Sequence, residues 1–139
     1  MSHEVANWVD FITAGKSIFT IRNDDTGNRF TFRVKKIEDA EKWFVSVLNG
    51  SDNNSHYTYM GLLEGKDFRR TVKSKVSEIS QAFKTFTWLV NRMNTGGLLP
   101  RTVKFFHEGR CGRCGRRLTV PESIEAGYGP ECVKRIGLR

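Results

Sequence analysis

Apolar positions along the chain follow one period in its first half and another in the stretch after it. Ile18, Thr20 and Arg22 alternate with Phe19 and Ile21, and Phe30 and Phe32 alternate with Arg29, Thr31 and Arg33. A period of two is the pleat of a strand whose two faces meet different surroundings. Between the runs stands NDDTGN, a turn-forming cluster with Gly27 available for positive φ, so the pair predicts a β-hairpin. KWFVSVLNG predicts a third strand and HYTYMGLLEG a fourth, with NGSDNNS as the loop between them. The expectation over residues 16–65 is a small antiparallel meander. Ahead of it, VANWVDFITAG predicts a short helix with Val5, Trp8, Val9 and Ile12 on one face, closed by Gly15.

After the meander the period lengthens. Val76, Ile79, Phe83, Phe86, Val90 and Met93 recur at steps of three and four, while Lys84, Thr87, Asn91 and Arg92 fall off the stripe. That spacing predicts an amphipathic helix over about 77–95, capped at its start by Ser77 or Ser80 and at its end by Gly96, with Pro100 beyond. The stripe is expected to lie across the sheet, which assigns Phe83, Phe86 and Trp88 to packing; Trp88 stands off the main stripe. The fold class expected is α+β: a small antiparallel β-meander packed by one amphipathic helix over 1–100, followed by a C-terminal treble-clef or zinc-ribbon-like module over 101–139.

Length and composition limit what such a chain does. Its 139 residues suit one domain, or a small domain with an appended module, and the 12% aromatic content supports a real core. No apolar run approaches the roughly 18 residues of a membrane span, and the N-terminal segment lacks the basic and apolar regions of a secretion signal. The expected setting is a reducing cytoplasm without membrane attachment, where clustered thiols bind metal more readily than they cross-link. The net charge of +8 is uneven: residues 1–65 carry seven basic and nine acidic side chains, residues 66–100 seven and two, and residues 101–139 nine and four. A basic C-terminal half points to a polyanionic or acidic partner.

The chemistry of the chain is concentrated at its end. Cys111-Gly-Arg-Cys114 is a turn that brings two thiolates to one ion, Gly115 lets the knuckle turn back, and Cys132 follows after 17 intervening residues. Pro130 stands where a helix begins, which puts Cys132 in a first helical turn. Pro121 and Gly127 bracket another short helix. Structural zinc takes four ligands, and three thiolates are usually completed by His or Cys. His107, four residues before Cys111, is therefore expected to be the fourth, ahead of Glu108 and Glu131. A closed Cys3His set has no open position, so one structural Zn2+ is expected and catalysis is not. No Ser/His/Asp set, phosphate-cradling glycine loop or paired carboxylates accompany it, and no small-molecule substrate is indicated.

The pattern C-x-x-C-G-R-x-L-T-x-P-E-S-I-x-x-G-x-G-P-x-C, running from Cys111 to Cys132, resembles an uncharacterised zinc-ribbon-like domain of bacteriophage and prophage proteins. The segments FTIRNDDTGNRFTFRV, KWFVSVLNGSDNNSHYTYMG and AFKTFTWLVNR resemble more loosely the body that precedes this module in such proteins. The resemblance implies a metal, a viral origin and hence the cytoplasm of a host cell, and it implies no reaction. Two kinds of function follow. In the first, Arg110, Arg113, Arg116 and Arg117 on the knuckle, with Lys134, Arg135 and Arg139 after the last ligand, bind nucleic acid through its phosphates. In the second, the protein occupies a host protein or nucleoprotein complex, such as a CRISPR effector, by protein contact. Tyr57, Tyr59 and Tyr128 either stack on bases or finish the core, and the sequence leaves both open.

Overall fold

The computed structural model describes residues 3–49 and 56–136, so most of the NGSDNNS loop and Arg139 lie outside the described residues. Seven strands form one sheet: β1 (His3–Glu4), β2 (Lys16–Asn23), β3 (Arg29–Lys36), β4 (Lys42–Leu48), β5 (Tyr57–Glu64), β6 (Asp67–Arg69) and β7 (Val103–His107). Their order is β1-β7-β2-β3-β4-β5-β6. β2 to β5 make the expected meander, and β6 extends it by a further antiparallel step. The hairpin between β2 and β3 turns on Asn23, whose Oδ1 accepts the N–H groups of Asp25 and Thr26, and on Gly27 at φ 77°. A register shift between Val45 and Ser46 bends the β4–β5 pair.

β7 is the strand that ties the C-terminal segment to the rest. It pairs with β2 from Asn23↔Val103 to Phe19↔His107, and β1 closes its other side. The sheet therefore crosses the boundary expected at residue 100. Val103, Phe105 and His107 are buried while Lys104 and Phe106 between them are not, the alternation of a strand with one covered face.

Helix α1 (Trp8–Ile12) and helix α2 (Gln81–Asn94) lie on the inner face of the sheet. α2 starts later than the apolar spacing predicts. The Ser80 hydroxyl accepts the Phe83 N–H at 3.2 Å and donates to the Ser77 carbonyl at 2.7 Å, so a turn precedes the helix and Val76 and Ile79 fall outside it. Ile79 is 80% exposed, and the stripe runs through Phe83, Phe86, Leu89 and Val90. Phe86 is wedged between Phe32 at 5.2 Å and Phe68 at 4.7 Å, both edge-on. Burial of one such side chain contributes about 1.5–3 kcal/mol. At the other end, Phe11 and Trp8 of α1 pack on Phe105, which stacks on Phe19 at 4.6 Å. Among the described residues no helix is long and apolar enough to cross a membrane.

Candidate metal centre

After β7 the chain makes a tight knuckle. Cys111 N–H donates to the Arg116 carbonyl at 2.8 Å, Gly115 N–H to the Cys111 carbonyl at 2.9 Å, and Arg110 and Arg117 form an isolated antiparallel bridge. Gly115 sits at φ 78°, where a side chain is strained, which is why the residue after the second cysteine is glycine. Helix α3 (Pro121–Ala126) then begins at its proline and ends at Gly127 in the left-handed region, as the sequence predicts. Helix α4 (Pro130–Ile136) places Cys132 in its first turn.

This arrangement gathers the three cysteines. The sulfurs of Cys111, Cys114 and Cys132 all lie within 4.8 Å of one another. Cys111 and Cys132 are buried and Cys114 is exposed. Burial pushes the Cys111 thiol up, but backbone N–H groups of Cys114, Gly129 and Arg113, and the hydrogen bond with Cys132, outweigh it and hold the thiol below its ordinary value. Burial raises the Cys132 thiol, opposed by the Arg113 guanidinium, whose Nη1 lies 3.5 Å from the sulfur. Three sulfurs at this separation, with amide N–H groups turned toward one of them, form a donor set that fits a thiophilic metal ion.

His107 does not complete the set. Its position in β7 turns the ring to the inner face, where it is fully buried 6.1 Å from Phe11 and 5.2 Å from His3. Nδ1 accepts the Gly109 N–H at 2.9 Å, so Nε2 carries the proton and donates to the Ile124 carbonyl at 2.6 Å. Neither nitrogen has a lone pair left for a metal. Burial holds the imidazole below its ordinary pKa, and its hydrogen bond to Ile124 ties α3 to the end of β7. The carboxylate alternatives lie elsewhere too: Glu108 accepts a hydrogen bond from Thr20, and Glu131 pairs with Lys134 at 3.9 Å. Among the described residues the sulfur cluster is a three-ligand set.

The knuckle is seated by residues that the spacing of cysteines does not reveal. Lys16 N–H donates to the Gly112 carbonyl, and Gly112 N–H to the Gly127 carbonyl. A Cβ on Gly112 would stand 2.5 Å from the Phe11 ring, and one on Gly15 would stand 2.6 Å from the Arg113 carbonyl oxygen. Tyr128 packs 5.6 Å from Phe11, and Leu118, Tyr128, Cys111 and Cys132 belong to the same apolar core as the sheet. Phe11 thus joins the sheet to the knuckle. The basic residues divide: Arg116, Arg117, Lys134 and Arg135 are exposed, Arg110 is half-buried with Nη1 on the Gly115 carbonyl, and Arg113 turns inward to the sulfurs.

Residues 103–137 match the model of a family of unknown function (DUF6011), a span that takes in β7, the three cysteines and both short helices. No curated protein and no solved structure matches the chain.

Proposed function

We propose that the C-terminal segment is a treble-clef-like module holding one structural Zn2+, and that the basic surface it fixes binds nucleic acid. Bound to the three thiolates, zinc would cross-link the knuckle to the first turn of α4. Cys111, Cys114 and Cys132 would be the protein ligands, with Cys114 the exposed one of the three. The resemblance of this segment to a zinc-ribbon-like domain of phage and prophage proteins supports the metal, and a host cytoplasm as the setting.

The observation that carries the nucleic-acid reading is the pair of neighbouring arginines Arg116 and Arg117, both exposed on the knuckle, with Lys134 and Arg135 exposed on α4. Phosphates are what arginine forks recognise. Arg116 and Arg117 take no part in the ion pairs Arg22–Asp24, Lys42–Glu64, Arg69–Glu64 and Lys134–Glu131.

Metal analysis of the purified protein is expected to give one zinc per chain. Arg116→Glu with Arg117→Glu is expected to weaken oligonucleotide binding roughly tenfold at moderate salt, because phosphate contacts supply most non-specific affinity. Binding that is insensitive to salt would refute the nucleic-acid reading, and protein that folds identically without zinc would refute the structural metal.

A further inference from the structure

The pleat sorts the charges of the N-terminal half in a way that their order along the chain conceals. The acidic residues of residues 16–49 sit in turns: Asp24 and Asp25 in one, Glu38, Asp39 and Glu41 in the next. The outward positions of β2, β3 and β7 instead carry Lys16, Arg22, Arg29, Arg33, Lys35 and Lys104. These cations face one another in register, Lys16 opposite Lys35 and Arg22 opposite both Arg29 and Lys104. Three like-charged oppositions in one sheet cost stability, and nothing in the packing of the core requires them.

Aromatic rings stand among these cations on the face that α1 and α2 leave uncovered. The Arg33 guanidinium lies 4.4 Å above the Tyr57 ring, and that of Arg22 lies 4.9 Å above Phe106. Phe44, 47% exposed, meets Tyr59 edge-on at 5.9 Å. An open groove lined by Lys16, Ile18, Arg33, Lys35, Arg110 and Gly115 joins this face to the knuckle, and its lining includes no carboxylate. Of the carboxylates near the face, Asp24 is held by Arg22 and Glu64 by Lys42 and Arg69 at its margins, while Glu108 reaches onto it through the hydrogen bond it accepts from the outward Thr20.

We infer that this open sheet face binds a single strand of nucleic acid, phosphates on Lys16, Arg33 and Lys35 and bases on the rings of Phe44 and Tyr59. Every base has a flat apolar face, and in a single strand that face is available to stack, whereas in a duplex it is hidden. A face that interleaves cations with rings therefore suits a single strand better than a duplex, for which cations alone suffice. The inference rests on the nucleic-acid reading proposed above and adds the surface and the strandedness to it.

The test is fluorescence anisotropy with labelled oligo-dT and oligo-rU of about 15 nucleotides, a duplex of the same length, and polyglutamate as a competitor. The single strands are expected to bind more tightly than the duplex, and their relative affinity separates DNA from RNA as the target. Arg33→Glu with Lys35→Glu is expected to weaken binding roughly tenfold or more and to lower the salt slope by about 0.7 for each phosphate that is no longer neutralised. Phe44→Ala is expected to cost about fivefold with the slope unchanged, the signature of stacking. Far-UV circular dichroism and metal content must match the wild type in each variant. Tighter duplex binding, or competition by polyglutamate as effective as that by oligo-dT, would overturn the inference. Loss of binding in the Arg116→Glu, Arg117→Glu protein but not in the sheet variants would overturn the sheet face alone and leave the proposed function standing. Absence of oligonucleotide binding by the wild type would overturn both.

Discussion

Around Phe86 the chain is held by rings: Phe32 and Phe68 press on it from β3 and β6, and a helix of 14 residues spreads the packing over the sheet. Around Cys111 the chain has a single isolated bridge, a helix of six residues and another of seven. Helices so short do not hold themselves together in water. The first region is stable because apolar area is removed from water, and the second, on the proposal above, is also defined by a metal held between its sulfurs. Both nevertheless meet at Phe11, so the difference lies in what would fail first and how far the failure would travel.

The largest expected effect comes from removing the proposed metal cross-link. Cys132→Ser, or chelation of zinc from the wild type, is expected to abolish hydrogen-exchange protection across α3, α4 and the knuckle while β2 to β5 stay protected, since metal binding in such modules supplies folding energy on the order of 10 kcal/mol. Simultaneous loss of protection in both regions would show that the metal holds the sheet as well. Next comes Phe11→Ala, expected to cost about 3–5 kcal/mol of global stability in denaturant unfolding. Phe11 is fully buried and touches Phe105, His107 and Tyr128, so its loss is also expected to lower zinc affinity in a competition assay. Phe86→Ala is expected to cost a similar amount and leave zinc affinity unchanged. Equal zinc affinity in the two variants would remove Phe11 from its place between the regions.

The smallest effect is a slope with pH. His107 has its pKa depressed below the ordinary value of 6.5, chiefly by burial, so the unfolded chain takes up the proton first as pH falls. The stability it contributes is complete above about 6.5 and is lost as pH falls through the lower folded value. Thermal unfolding followed from about pH 7.5 to pH 5 is expected to show a steeper decline for the wild type than for His107→Asn, whose amide cannot take up that proton. Parallel declines would mean that the ring does not act as a neutral hydrogen-bonding post.

Local punctuation is readable from the sequence, and long-range pairing is not. The turn at Asn23 to Gly27, the glycine after Cys114 and the Pro121, Gly127 and Pro130 boundaries each follow from a constraint on one or two φ angles. They stand where the sequence puts them. The convergence of the three cysteines follows from the same constraints. His107 misleads because four residues along the chain is close, but its strand pairs with β2, its ring stacks on Phe11 and its two nitrogens are taken by the Gly109 N–H and the Ile124 carbonyl. The partner strand lies more than eighty residues back in the sequence. Leu89 and Phe11 escape the helical stripes because one stripe runs through residues that a cap excludes and the other covers only part of the buried face. The outward cations are visible as alternation within the hairpin, yet a sum over residues 1–65 hides them by adding in the acidic turns.

The two outermost strands of the sheet are very short, two residues in β1 and three in β6. Long exposed edges recruit strands from other chains, and short ones give an incoming strand little to pair with. The molecule is thus blunted against lateral growth into sheet-sharing polymers, and an extended peptide gains few main-chain bonds by lying alongside it. The broad surfaces are the flat of the sheet and the tip of the knuckle, where a ligand is read by side chains instead of by backbone.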